Sequence, residues 1–229
     1  MAYNNLNAAA AEAAQRKREK EELKRGKTKP QQECIDFFYG ADGGCFSKKT
    51  ISADEYVNRV NGRLKAVNTY RMALNKLGID EEEVQEIAPV SFQNFLYNNK
   101  FDNLVQKIGS NKWVSSDYQI TWLFFGEKEL FIYQYSFSMI SDSKRENTMQ
   151  YFYQDVTNFS ATTEVYQKWT SEQSGGCNSK LIYQTVSCDA DEFRVIVPGD
   201  TLRCSMTPSD KTDAAIRGMR NKLREIKNQ

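Results

Sequence analysis

Residues 117–138 read DYQITWLFFGEKELFIYQYSFS, two aromatic-rich runs on either side of Gly126-Glu127-Lys128. Side chains alternate along a strand, so Ile120, Trp122 and Phe124 share one face of the first run. Phe131, Tyr133, Tyr135 and Phe137 share one face of the second. A two-residue turn within residues 126–129 pairs even positions of the first strand with odd positions of the second. The two aromatic sets then lie on one face, with Trp122 beside Tyr133 or Phe131, whereas a three-residue loop would break that parity. The opposite face carries Thr121, Leu123, Phe125, Leu130, Ile132, Gln134 and Ser136. It is apolar near the turn and polar away from it, the pattern expected of a sheet covered at one end only. A platform for stacking single-stranded nucleic acid needs basic residues among its rings, and this hairpin offers only Lys128. Its aromatics are therefore expected in a core.

The 229 residues allow one large domain or two small ones. The balance of 31 basic against 30 acidic residues gives a formal charge of +1, so no global charge draws the chain to nucleic acid or an anionic membrane. No apolar run approaches the ~20 residues that span a bilayer. The N-terminus has alanines first and charges afterwards, the reverse of a secretory signal. Cys34, Cys45, Cys177, Cys188 and Cys204 are odd in number and show no C-x-x-C spacing, which fits a reduced, cytoplasmic setting. The chain has no histidine. That excludes Ser-His-Asp and Cys-His nucleophilic systems and any imidazole base, and leaves a zinc site without its usual ligands. No catalytic residue, metal ligand or cofactor is assigned, and the chain is read as non-enzymatic.

Residues 6–25 form an Ala-rich, then charge-rich segment of high helix propensity with little to bury. Between Arg16 and Lys29 stand eight basic residues and three glutamates. Arg16, Lys17, Arg18, Lys20, Lys24 and Arg25 are the candidate partner-binding residues, an arm for nucleic acid, anionic lipid or an acidic protein. A solvated tail is the competing reading. Gly26 and Pro30 are expected to end the segment. A short apolar cluster (Ile35, Phe37, Phe38, Tyr39) then leads to a glycine loop at residues 40–44, flanked by Cys34 and Cys45, whose redox pairing is conceivable. Ser52-Ala53-Asp54-Glu55 is a capping-box sequence opening a helix to about Leu77. Val57, Val60, Leu64, Val67, Leu74 and Leu77 form its apolar stripe, and Gly78 stops it. Asp80 caps a second short helix over 81–87, which completes a helical hairpin. The run VSFQNFLY predicts a strand with a bulge at Asn94. The next stretch, to Ser116, reads as a loop or hairpin with scattered Lys100, Lys107 and Lys112.

After the central hairpin, SDSKREN reads as a polar loop and TMQYFYQDVTNFS as one or two strands. Val165, Tyr166 and Trp169 precede a second loop at 171–180. Three short strands follow at 181–187, 193–197 and 202–206, separated by turns at Cys188-Asp189-Ala190-Asp191 and Pro198-Gly199-Asp200. Counted from Asp117 this makes seven strands, a sandwich or barrel. Ser209 or Asp210 caps a closing helix whose stripe is Ile216, Met219, Leu223 and Ile226, with Arg217, Arg220, Lys222, Arg224 and Lys227 around it.

The pieces ITWLFFGEKELFIYQYSF, MQYFYQDVTNFS and DEFRVIVPG…AAIRGMRNKLREIK, in that order, resemble the early hairpin, middle strands and closing helix of bacterial pleckstrin-homology-like (PH-like) domains. The resemblance covers about half the chain, residues 115–229. It implies a bent antiparallel sheet closed at one corner by the last helix, and binding of peptides, proteins or lipid headgroups. Headgroup-binding members carry basic residues around the first hairpin's turn. Gly126-Glu127-Lys128-Glu129 holds that position here, so the lipid motif does not carry over. The expected fold is α+β: a charged helical or disordered tail (1–30), a helical hairpin and connecting region (31–114), and a seven-stranded antiparallel PH-like barrel or sandwich closed by a C-terminal helix (115–229). The expected function is a cytoplasmic interaction or scaffold protein with a protein or peptide partner. The alternative is a nucleic-acid or anionic-surface binder using residues 16–29.

Overall fold

The computed structural model describes residues 2–40, 50–84, 88–98, 103–109, 112–173 and 181–227. Glycine-loop residues 41–44, Cys45, the end of the expected helix at 85–87, Lys100 and the loop containing Cys177 lie outside the described residues. The fold is α+β, with helices before and after three antiparallel sheets.

The helices are α1 (Ala2–Lys24), α2 (Lys29–Tyr39), α3 (Ala53–Ala66), α4 (Thr69–Leu77) and, at the other end of the chain, α5 (Asp210–Lys227). α2 corrects the reading of Pro30 as a terminator, because proline is tolerated in a first turn where its missing N–H has no partner to lose. The Gln31 side chain accepts the Thr28 N–H at 2.9 Å and fixes the chain's entry into α2. The single helix expected to Leu77 is two. Val67 turns extended, and Asn68 starts α4 by accepting the Arg71 N–H at 3.0 Å. Ser52 caps α3 by accepting the Glu55 N–H, while Glu55 pairs with Arg59. Gly78 ends α4 at φ 67°, the left-handed stop that its sequence position indicates. The second helix of the expected hairpin is a one-turn 3-10 helix, Glu81–Val84.

The strands are β1 (Val90–Phe95), β2 (Val105–Ile108), β3 (Lys112–Ser115), β4 (Asp117–Phe125), β5 (Glu129–Ser138), β6 (Lys144–Phe152), β7 (Asn158–Gln173), β8 (Leu181–Val197) and β9 (Asp200–Ser205). The central sheet runs β1-β4-β5-β6, a second runs β7-β8-β9, and β2-β3 is a separate hairpin. The turn between β4 and β5 is the two-residue one: Gly126 N–H donates to the Glu129 carbonyl, and Trp122 faces Tyr133. The parity holds on both faces. Ile120, Phe124, Tyr133, Tyr135 and Phe137 pack in one core cluster with the helices, whereas Leu123, Phe125, Leu130 and Ile132 pack in another.

Several expectations are corrected. β1 carries no bulge at Asn94, since its register with β4 is unbroken from Val90↔Leu123 to Phe95↔Tyr118. Phe92 and Phe95 face opposite sides because both sides of β1 are covered. β8 runs straight through residues 188–191, held by β7 in a ladder that pairs Asp191 with Thr163 and Asp189 with Val165. β6 takes in most of the expected polar loop. From Asp117 onward the described residues form six strands rather than seven, and the central sheet takes its first strand from residues 90–95. The polar end of the second hairpin face is also covered. Gln119 accepts the Ser205 N–H at 2.8 Å and Gln134 donates to the Arg203 carbonyl at 2.9 Å, so β9 is docked by side chains. The sheets do not close into a barrel. β1 is tied to the chain just after β9 by Asn94 Nδ2, which donates to the Met206 carbonyl at 2.7 Å.

Three layers result. α2, α3, α4 and the β2-β3 hairpin cover one face of the central sheet; α5 and the part of the β7-β8-β9 sheet around Phe159, Phe193 and Leu202 cover the other, while β8 reaches the first cluster through Cys188 and Ala190. Ser209 caps α5 by accepting the Thr212 N–H, and Ile216, Met219 and Leu223 are buried as their spacing indicates.

Candidate binding cleft

An open cleft of about 750 Å³ lies where α3, the end of β1, the β2-β3 hairpin and β8 meet. Each wall follows from local periodicity. Val57, Val60 and Asn61 stand at i, i+3 and i+4 on α3 and so share one side of it. Lys107 and Trp113 are directly opposed across the β2-β3 ladder, which puts both on one face, the ammonium 6.0 Å from the ring centre. Lys112, at the start of β3, also lines the cleft. Ser187, Asp189 and Asp191 alternate along β8 and line the far wall. Phe95 and Tyr118, both buried and meeting edge-to-face at 5.1 Å, form an apolar floor.

The cleft is held by polar contacts behind its surface. Tyr97 donates to the Trp113 carbonyl at 2.7 Å and fixes the hairpin. Asp191 accepts from Thr163 at 2.7 Å, and its backbone carbonyl accepts the Met206 N–H. Burial pushes the Tyr97 and Tyr118 phenols upward, so both stay neutral at physiological pH. The buried Cys188 thiol, in the adjoining core, is pushed up to about 11 by desolvation and is no thiolate nucleophile near neutrality. The arrangement presents cations on one wall, carboxylates on the other and aromatic surface between them. It suits a ligand bearing both charges and an apolar group.

A second hollow of about 460 Å³ lies by Pro30, Cys34, Arg59 and Arg63. Its arginines are already engaged: Arg59 with Glu33 and Glu55, Arg63 with the Ser138 carbonyl at 2.6 Å and the Phe137 ring.

The six basic residues singled out between Arg16 and Arg25 divide into two sets. Lys20 is buried, 3.0 Å from both Asp36 and the Gly40 carbonyl, and Lys24 shares Asp36. Arg16 pairs with Glu19 and lies over the Trp169 ring at 4.5 Å. Lys17, Arg18 and Arg25 are exposed. The structure brings none of the six to the cleft.

The cleft residues escaped sequence reading because Asp189 and Asp191 look like turn acids, and Lys107 and Lys112 like ordinary surface charges. The alternation Ser187-x-Asp189-x-Asp191 was the available signal. No helix among the described residues is long and apolar enough to cross a membrane. No protein-family model, no curated protein and no solved structure matches the chain.

Proposed function

We propose that this chain is a non-enzymatic interaction protein built on a PH-like domain, and that it takes a peptide segment of a partner protein in the cleft beside α3. Two features support the PH-like reading. Four strands in one antiparallel meander, β1-β4-β5-β6, are followed by three in another and then by a helix packed against them. The resemblance drawn from residues 115–229 implies antiparallel strands closed by a last helix, with peptide and protein binding among its roles; six strands follow Asp117 here, and the first strand of the central sheet comes from residues 90–95. Fold alone assigns no function, so the proposal rests on the site.

The observation that carries it is the facing of Lys107 and Lys112 by Asp189 and Asp191 across an aromatic floor. Such walls favour a short chain segment with charges of both signs around an apolar anchor, and they penalise a ligand of one sign. The alternative, anionic ligands held by residues 16–29, draws on fewer free charges because Arg16, Lys20 and Lys24 are engaged within the chain.

The test is selection from a random-peptide phage library, with binding of the selected peptides measured by titration calorimetry. Lys107→Glu and Asp189→Lys reverse one exposed charge on each wall. Selected peptides should bind each variant about tenfold more weakly or worse, the scale expected when one attractive charge pair turns repulsive. Peptides that bind both variants as they bind the parent protein would refute the cleft as the site.

A further inference from the structure

We propose that β6 is the edge through which two copies of this chain pair, antiparallel and about a two-fold axis at Thr148. The order β1-β4-β5-β6 leaves β6 as an outer strand, and among the described residues β5 is its only ladder partner. An edge strand of nine residues presents unpaired backbone donors and acceptors, which proteins ordinarily blunt with proline, a bulge, a central lysine or a covering element.

The other outer strands of the two larger sheets are met in this way. Asn94 and Thr207 tie β1 to the chain after β9. Gln119 and Gln134 engage β9's own backbone. Arg220 of α5 donates to the Phe159 carbonyl on β7, and Thr170 of β7 donates to the Val105 carbonyl on β2. β6 has neither proline nor glycine, and its register with β5 is unbroken from Glu129↔Phe152 to Phe137↔Lys144. Its charges lie at one end, and Asn147-Thr148-Met149 at its middle are uncharged.

The occupant follows from the charge pattern of the strand, which complements itself. Full-length antiparallel pairing about Thr148 sets Lys144 opposite Phe152, Arg145 opposite Tyr151 and Glu146 opposite Gln150 of the second copy. Lys144 then meets an aromatic ring, and no like charges face each other. Phe152, 48% exposed in the single chain, is covered by the lysine stem. Registers centred on Arg145 or Glu146 set that charge against its own copy. The two-fold keeps even residues on the same face in both copies, so the two central sheets become one of eight strands with continuous faces.

One strand edge is a small interface, so the affinity expected is on the order of micromolar. Sedimentation velocity from about 5 to 500 μM, a range chosen to bracket that affinity, should show a concentration-dependent shift from monomer to dimer. Thr148 is exposed, and Thr148→Lys places two ammonium groups opposite each other at the axis while leaving the fold intact. It should weaken the dimer about tenfold or more without changing the circular dichroism spectrum or Tm. Thr201→Lys, an exposed substitution on β9, should leave the dimer unchanged. A parent protein that stays monomeric over the whole range overturns the proposal. A dimer that persists undiminished in Thr148→Lys overturns it equally, because the contact then lies elsewhere.

Discussion

Tyr56 is the side chain through which α3 grips the β structure. It is fully buried, and its hydroxyl donates to the Ser115 carbonyl at 2.6 Å. Its ring stacks on Phe37 at 4.8 Å and meets Phe38 edge-on at 5.1 Å, joining α2 to α3. Burial drives its phenol well above the ordinary tyrosine range, so the hydroxyl keeps its proton at neutral pH. Tyr56→Phe removes the hydroxyl alone and leaves a carbonyl of the unexposed Ser115 short of a donor, a loss of about 1–3 kcal/mol. Tyr56→Ala removes the ring as well, and a buried aromatic truncated to alanine costs about 3–5 kcal/mol. Stabilities of single domains lie near 5–15 kcal/mol, so the alanine variant is expected to be largely unfolded or close to it. The phenylalanine variant keeps the reasoning testable in that case. Urea unfolding followed by far-ultraviolet circular dichroism gives both values at unchanged m. A Tyr56→Phe midpoint equal to that of the parent would refute the pinning hydrogen bond. A well-folded Tyr56→Ala protein would refute the shared core of α2 and α3.

Lys20→Met keeps the aliphatic stem but removes the ammonium from Asp36 and the Gly40 carbonyl; it should lower stability by about 1–3 kcal/mol and make residues 16–28 more sensitive to limited proteolysis. The exposed Lys17→Met should stay within about 0.5 kcal/mol of the parent in the same measurements. Trp122→Ala should cost about 3 kcal/mol in urea unfolding, the low end for aromatic truncation, because its ring is half-buried against Tyr70 and its Nε1 donates to Thr69 at 3.0 Å.

The hairpin at the centre of the sheet was legible because strand alternation and a two-residue turn leave one parity for its aromatics, and the C-terminal stripe because its period is strict. α2 was hidden by composition. Cys34, Ile35 and Phe38 are a helical stripe at i, i+1 and i+4, but Phe37, Phe38 and Tyr39 in succession carry β propensity, which tertiary packing overrides. β8 was hidden by turn chemistry: Asp189-Ala190-Asp191 favours a turn in isolation, and a ladder with β7 running from Asn158↔Ile196 to Gln173↔Leu181 outweighs it. The docking of α1 was hidden because what the helix buries is an ammonium rather than apolar surface. Lys20 and Lys24 sit one turn apart over Asp36, and Leu23 joins them from the apolar side.

The position of the cleft follows from how thoroughly the central hairpin is covered. With helices on one face of β4-β5 and a second sheet on the other, neither aromatic face is available for recognition. Free surface with defined chemistry therefore has to arise where the layers end. The segment between β1 and β4 supplies it. Instead of a tight turn joining these neighbouring strands, the chain spends residues 96–116 on a route that includes the β2-β3 hairpin, pinned by Tyr97 and by Thr170 of β7. That insertion raises Lys107, Lys112 and Trp113 into a wall facing the carboxylates of β8, where a direct connection would leave Asp189 and Asp191 facing open solvent. The insertion gives the core Tyr97, Leu104, Val105 and Val114 and offers Tyr56 the Ser115 carbonyl, and it also supplies an entire side of the cleft. One segment thus serves both stability and recognition, and charge substitutions at the exposed Lys107 and Asp189 test recognition without touching the buried residues that hold the fold.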